Sequence, residues 1–403
     1  MKTAIRISPV PALKPEIEPQ VPTALFQGGA PIVVLGECRD LIGFPLPIIP
    51  SASTLFGPRG AWLISPEGPL WVADTGHHRL LGWEHVPTQD NAPADWVIGQ
   101  PDFLSEGRNA KGLPSSRTFN VPTGITRYRE GLVVADAWNH RVLLWHRVPR
   151  GSHVPADIVL GQEDFYSTSC NQDQSIPTAF TLNWPYGVCS RGDSLCIADT
   201  GNRRVLIWQT PPTHHGQAAD MVLGQHRFDC RDENAGREPD AMSMRWPHAM
   251  TVWNGNLCVA DAGNNRIMVW DGFPLKDGEP CRWILGQTAS HLVDHNASLY
   301  WPRAGTLNMP YGVTATGSWL IAADTANSRL IGWHDSNLQT GAKAQALAGQ
   351  PTFQAKGDNQ WSFPVRGSLC WPYQVQVCGK FVVVSDSGNN RVQLWDIDGA
   401  LLS

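Results

Sequence analysis

The sequence predicts an all-β chain: a six-bladed β-propeller of four-stranded antiparallel blades, closed in its last blade by an N-terminal strand around residues 31–37. Three observations carry this reading. The stretch VADTGHHRLLGW, from Val72 to Trp83, returns in close copies at Val134, Ile197, Val259, Ala322 and Val384. The copies are in register to within one residue, and a repeat at such a period is the mark of a repeated structural unit. Finally, 38 Gly and 32 Pro punctuate the 403 residues, as in a chain of short strands and many turns.

Each unit begins with a strand led by a proline: Pro58, Pro122, Pro185, Pro247, Pro310 and Pro372. This strand, a, is followed by a short Gly/Asp/Asn turn and by strand b, as in LCIAD. A polar turn leads into strand c, as in RVLIW, and a longer link leads to strand d, as in MVLGQ. About 22 residues then lead to the next proline. The apolar runs are continuous rather than alternating, which suits sheets covered on both faces. Sheets of this kind stack in a ring and bury their faces against one another.

An open solenoid would need a polar cap at each end. Instead, the sixth unit stops at LWDIDGALLS without a d strand, while a spare copy, IVVLGE around Gly36, precedes the first unit in register. The N-terminal segment therefore supplies the outer strand of the last blade and removes an orphan edge. Residues 31–403 read as a single propeller domain, and the Pro-rich residues 1–30 as an extension lying on it.

Composition narrows the function. The net charge is −5, with 31 basic against 36 acidic residues. That balance gives no general attraction to nucleic acid or anionic membranes. No apolar run reaches the ~18 residues of a membrane span, and MKTAIRISPVPALKPEIEPQ lacks a secretory pattern. The expected location is the cytoplasm. Nine scattered Cys include no CxxC pair, so neither a disulfide framework nor a zinc site is expected, and Cys196 and Cys258 read as small buried hydrophobes.

The repeated motif pairs Asp74, Asp136, Asp199, Asp261, Asp324 and Asp386 with Arg79, Arg141, Arg204, Arg266, Arg329 and Arg391. The Arg is expected to reach the Asp of its own turn and to stack on aromatic surface. One working site per molecule would not need six copies, so the motif reads as structural. With the WPYGV and VLGQ segments, these ADTGNNR-type turns resemble NHL repeats, and the chain looks like a bacterial six-bladed NHL propeller from about residue 31 to 395. The resemblance implies a binding or scaffold module, including as an assembly or maturation partner of a larger enzyme. It also brings two alternatives: a lyase or hydrolase with its site at the central channel, and an RNA-binding module.

Strand alternation places the long d-to-a links and the b-to-c turns on one face, the upper face. There the units disagree. The residues after the prolines are Arg59, Thr123, Tyr186, His248, Tyr311 and Tyr373, and those before include Trp184, Trp246, Met309 and Trp371. Farther down strand a all six units are apolar. The unlike residues form either an aromatic cup for a protein or small ligand, with Arg59 ready for an anion, or a plain cap on the core. No catalytic residue, metal or cofactor is expected: only His248 joins the ring, no carboxylate accompanies it, and GxSxG and HExxH are absent. The pairs His77–His78 and His214–His215 read as surface residues. Basic residues in the upper links (Arg108, Lys111, Arg117, Arg237, Arg303, Arg366) are few and mixed with acids, which argues against RNA.

Overall fold

The computed structural model describes residues 21–36 and 48–397. Residues 1–20 of the expected extension, residue 37 of the expected closing strand, and 398–403 lie outside the described residues.

Six sheets surround a central channel. In blade 1, strands a to d are Gly60–Leu63, Leu70–Asp74, Arg79–Trp83 and Trp96–Ile98; in blade 2 they are Pro122–Tyr128, Gly131–Asp136, Arg141–Trp145 and Ile158–Leu160. Blade 3 runs Pro185–Arg191, Ser194–Asp199, Arg204–Trp208 and Met221–Leu223; blade 4 runs Pro247–Trp253, Asn256–Asp261, Arg266–Val269 and Trp283–Leu285. Blade 5 comprises Pro310–Thr316, Trp319–Asp324, Arg329–His334 and Ala346–Ala348, and blade 6 comprises Pro372–Cys378, Phe381–Asp386 and Arg391–Asp396. Strands within these blades are antiparallel, and strands b and c are buried almost throughout.

Val33–Leu35 lies antiparallel on strand c of blade 6, with Val33 opposite Leu394 and Leu35 opposite Val392. Arg366 fixes the approach by donating to the carbonyls of Pro31 at 3.0 Å and Ile32 at 3.1 Å. The segment before it is also built into the wall. Thr23–Ala24 adds a parallel fifth strand to the outer edge of blade 5. Leu25 and Phe26 are buried, and Phe26 stacks on Trp395 at 4.1 Å between ring centroids. Part of what the sequence presents as an extension therefore covers an edge and fills the joint between blades 5 and 6.

The core is a set of apolar layers between adjacent blades. One layer joins Cys196, Val205 and Ile207 of blade 3 to Met250, Val259 and Met268 of blade 4. Cys258 is likewise fully buried, as expected of a small hydrophobe. The Trp that ends strand c anchors each layer, and burying so large a side chain contributes at least about 1.5–3 kcal/mol. In blades 1 to 5 its indole N–H donates to a carbonyl nine residues on, such as Trp208 to Gln217 at 3.0 Å, so the buried ring leaves no orphan donor.

The six Asp–Arg motifs are fully buried. In blade 3, Arg204 Nε donates to Asp199 Oδ2 at 2.7 Å, and Asn202 donates to the same oxygen at 2.7 Å. Asp199 Oδ1 accepts the backbone N–H of Asn183 at 2.7 Å. The remaining guanidinium donors go to the carbonyls of Thr178, Thr181 and Phe228. Each Arg thus ties its own turn to the links that precede and follow it. The expected aromatic stacking is not what holds the guanidinium: the planar fork is saturated by oxygen.

Candidate functional site

The residues after the prolines meet at the upper mouth of the channel, with one exception. Tyr186 and His248 have ring centroids 4.4 Å apart, His248 stacks on Tyr311 at 4.2 Å and 8° between planes, and Tyr311 lies 4.8 Å from Tyr373. Arg59 closes the circle. Its guanidinium lies 4.9 Å from the Tyr373 ring centroid and donates to the Tyr186 hydroxyl. Thr123 is the exception: it is fully buried, and its hydroxyl donates to the Tyr186 carbonyl at 2.9 Å. A short side chain there serves the joint between blades 2 and 3 rather than the mouth.

The expected cup is filled by its own side chains. The space left among them is about 40 Å³, room for a few waters at roughly 10–15 Å³ each and not for a substrate. Stacked rings and a cation over a π face hold the plug together. Burial sets its electrostatics. It pushes the Tyr186 phenol up to about 12 and the Tyr311 phenol well above its usual value. Burial, helped by the Arg59 charge, pulls the His248 imidazole down to about 3. The plug is therefore neutral except for Arg59. Below it, Ala61, Ile125, Val188, Met250, Val313 and Val375 are all buried, as shared packing requires.

Blades approach closely here because glycine follows several ring residues. A Cβ at Gly187 would lie 2.0 Å from the His248 carbonyl. Where blade 6 carries Gln374 instead, its Oε1 accepts the backbone N–H of Ala61 at 3.2 Å, and Gln376 exchanges two bonds with the Leu63 backbone, at 2.8 and 2.9 Å. Amide side chains thereby seal the joint between the last blade and the first. Both glutamines were legible only as polar breaks in an apolar strand.

Trp184, Trp246, Met309 and Trp371 do not enter the plug. They stand around it, with the three Trp 37–50% exposed and Trp184 edge-on to Tyr186. Their positions depend on a device the sequence reading missed. Val121, Trp184, Met309 and Trp371 have positive φ, uncommon for bulky side chains. Each backbone N–H there donates to the residue just before the motif Arg of the preceding blade: His78, His140, Asn265 or Ser328. Blade 3 has Arg203 at that place, which cannot accept. The Trp246 N–H goes to Asp261 Oδ1 instead, and Trp246 is absent from the positive-φ set.

This device corrects the reading of the histidines. His77 is fully buried and bonds Asp74 Oδ2 at 2.8 Å, filling the place of the motif Asn. His78 is half-buried, with Nδ1 accepting the Val121 N–H at 3.0 Å. Of the four residues in the two His–His pairs, only His214 and His215 are exposed. Among the described residues, no group of three or more His, Cys, Asp or Glu is placed to hold a metal ion, and no helix is long and apolar enough to cross a membrane.

The NHL repeat family profile matches residues 244–270. The chain is similar to NHL repeat-containing protein 2 of Gallus gallus, 24% identical over 83% of this chain and 45% of that protein. The Homo sapiens protein of the same name is 22% identical over 83% of this chain and 46% of its own length. This chain thus spans about half the length of these relatives. Both come from vertebrates and do not speak to the bacterial origin that the resemblance implied. Among solved structures, a structural genomics protein of unknown function from Bacteroides thetaiotaomicron shares the fold, with TM-score 0.51 and 10% identity over 91% of this chain and 76% of that one.

Proposed function

We propose that this NHL-repeat β-propeller is a protein-docking module whose upper face, with its ring of tryptophans around a closed channel plug, is the binding surface. One observation carries the reading. Of the 20 large hydrophobic side chains exposed among the described residues, all but Val21, Ile32 and Leu275 lie in the d-to-a links, the b-to-c turns or the entries to strand a. Leu275 lies in a c-to-d link on the opposite face, and Val21 and Ile32 come just before strands that start on that side. Isolated exposed apolar residues mean little, whereas their concentration on one face marks an interaction surface.

The residue types agree. Trp138, Trp184, Trp246 and Trp371 are 37–55% exposed, and tryptophan is enriched among residues that dominate binding energy. Trp138 occupies a turn position that is Gly or Ala in every other blade, so no packing rule shared by the blades asks for it. The plug gives these side chains a rigid floor. The occupant is a folded protein offering aliphatic and aromatic side chains, and propellers commonly serve such interactions, which is analogy at the level of fold. Location in the cytoplasm is part of the same reading.

The test is affinity capture with identification of the bound protein, followed by titration of that purified protein. Trp184→Ala combined with Trp371→Ala should weaken the interaction by about 2 kcal/mol or more, and Leu275→Ala should not change it. Equal loss from both variants, or loss from Leu275→Ala alone, would refute the upper-face assignment.

A further inference from the structure

We propose that a cleft between the links entering blades 5 and 6 binds a neutral saccharide. The cleft has a volume of about 290 Å³ and is lined by Trp301, Trp361, Gln350, Gln354, Gln360 and Lys356. That volume sits at the lower end of the roughly 300–1,000 Å³ usual for small-ligand sites. The site is separate from the channel plug and does not rest on the docking reading.

Two independent observations point to a ligand. Trp361 is 68% exposed even though one side of its indole lies against Gly357 of its own link. Gln354 is 4% exposed, and its Nε2 has no hydrogen-bond partner. A buried donor left unmade is costly and marks a place where another molecule completes the bond. The neighbouring amides are held by the link itself: Gln350 Nε2 donates to the Gly357 carbonyl at 2.9 Å, as Gln100, Gln162, Gln225 and Gln287 do at the same place in other blades, and Gln360 Nε2 to the Gly349 carbonyl at 3.1 Å.

The lining selects the ligand by chemistry. Primary amides carry both donors and an acceptor, which suits vicinal hydroxyls that do the same. Indole faces suit the C–H face of a pyranose ring. The one charge in the cleft, Lys356, has its Nζ 3.7 Å from the Tyr300 ring centroid, so an aromatic face already occupies it. No carboxylate lines the cleft. An anion would find little attraction there, and a nucleotide would bring phosphates with no cluster of basic residues to meet them.

Saturation-transfer NMR and titration calorimetry on the full chain test this, using glucose, galactose, mannose, N-acetylglucosamine and their β-1,4-linked dimers. At least one sugar should bind, and Trp361→Ala and Gln354→Met should each weaken it about tenfold or more. Gln354→Met keeps the side-chain volume and removes the unpaired donor, so its thermal melt should match or exceed the parent's. Absence of binding by every sugar in the panel would overturn the proposal. So would sugar binding that both variants leave intact, or tighter binding of adenosine or a proline-rich peptide at Trp361.

Discussion

The backbone N–H of Trp184 donates to Nδ1 of His140 at 3.0 Å, across the boundary between blades 2 and 3. His78 makes the same bond to Val121. Both bonds need an unprotonated Nδ1, and burial holds both imidazoles below their usual value. The His248 imidazole is lowered too, to about 3. The unfolded chain therefore binds more protons than the native one once pH falls below about 6.5. Stability should be full above that pH and decline as it falls towards the lowered native values, by at most about 1.4 kcal/mol per pH unit for each group. Denaturation midpoints between pH 8 and 4 check this. His140→Asn keeps an acceptor and should flatten the slope; a parent profile with no decline below pH 6.5 would contradict the account.

Replacing Arg204 with Ala leaves the Asp199 carboxylate buried without its guanidinium and strips the Thr178, Thr181 and Phe228 carbonyls of a donor. Breaking a buried pair in this way costs about 3–5 kcal/mol. Arg204→Lys keeps the charge but not the fork and should fall between the two. Urea unfolding of the three proteins measures the order, and Arg204→Ala matching the parent would remove the structural role assigned to the motif.

Phe26 contributes its stack on Trp395 and its burial at the joint of blades 5 and 6. Phe26→Ala should destabilise the ring by about 3 kcal/mol. Deleting residues 1–30 should cost at least as much, because the blade 5 edge is then uncovered. A deletion variant that melts with the parent would contradict this role.

Three phenols, two buried and one half-buried, predict the alkaline limit. Burial pushes Tyr128 and Tyr186 up to about 12 and raises Tyr311 as well. A raised acid is neutral in the native state, so this stability is present below the unfolded value near 10 and is lost as pH rises above it. Absorbance at 295 nm should show these three ionising only above pH 11 or together with unfolding. All six phenols titrating as one group near pH 10 in the folded protein would contradict the closed plug.

The sequence by itself determined the propeller. Its six blades obey one packing rule, so Asp, Arg, Trp and Pro recur at a constant spacing, and a period survives whatever the loops do. Residue types that agree among blades, such as Val188 and Val313, could be assigned to the core for the same reason. The tertiary structure alone decided the rest. Whether Tyr186, His248, Tyr311 and Tyr373 form an open cup or a plug depends on how near the blades bring them. That distance is set by Gly187 and its counterparts, together with the single Arg59 that completes the circle. Only the ring places His140 beside Trp184, 44 residues on, which no local pattern announces. The same contact recurs from blade to blade, but the residues that make it differ in type, His78 and His140 in two blades, Asn265 and Ser328 in two others, so they leave no motif to read.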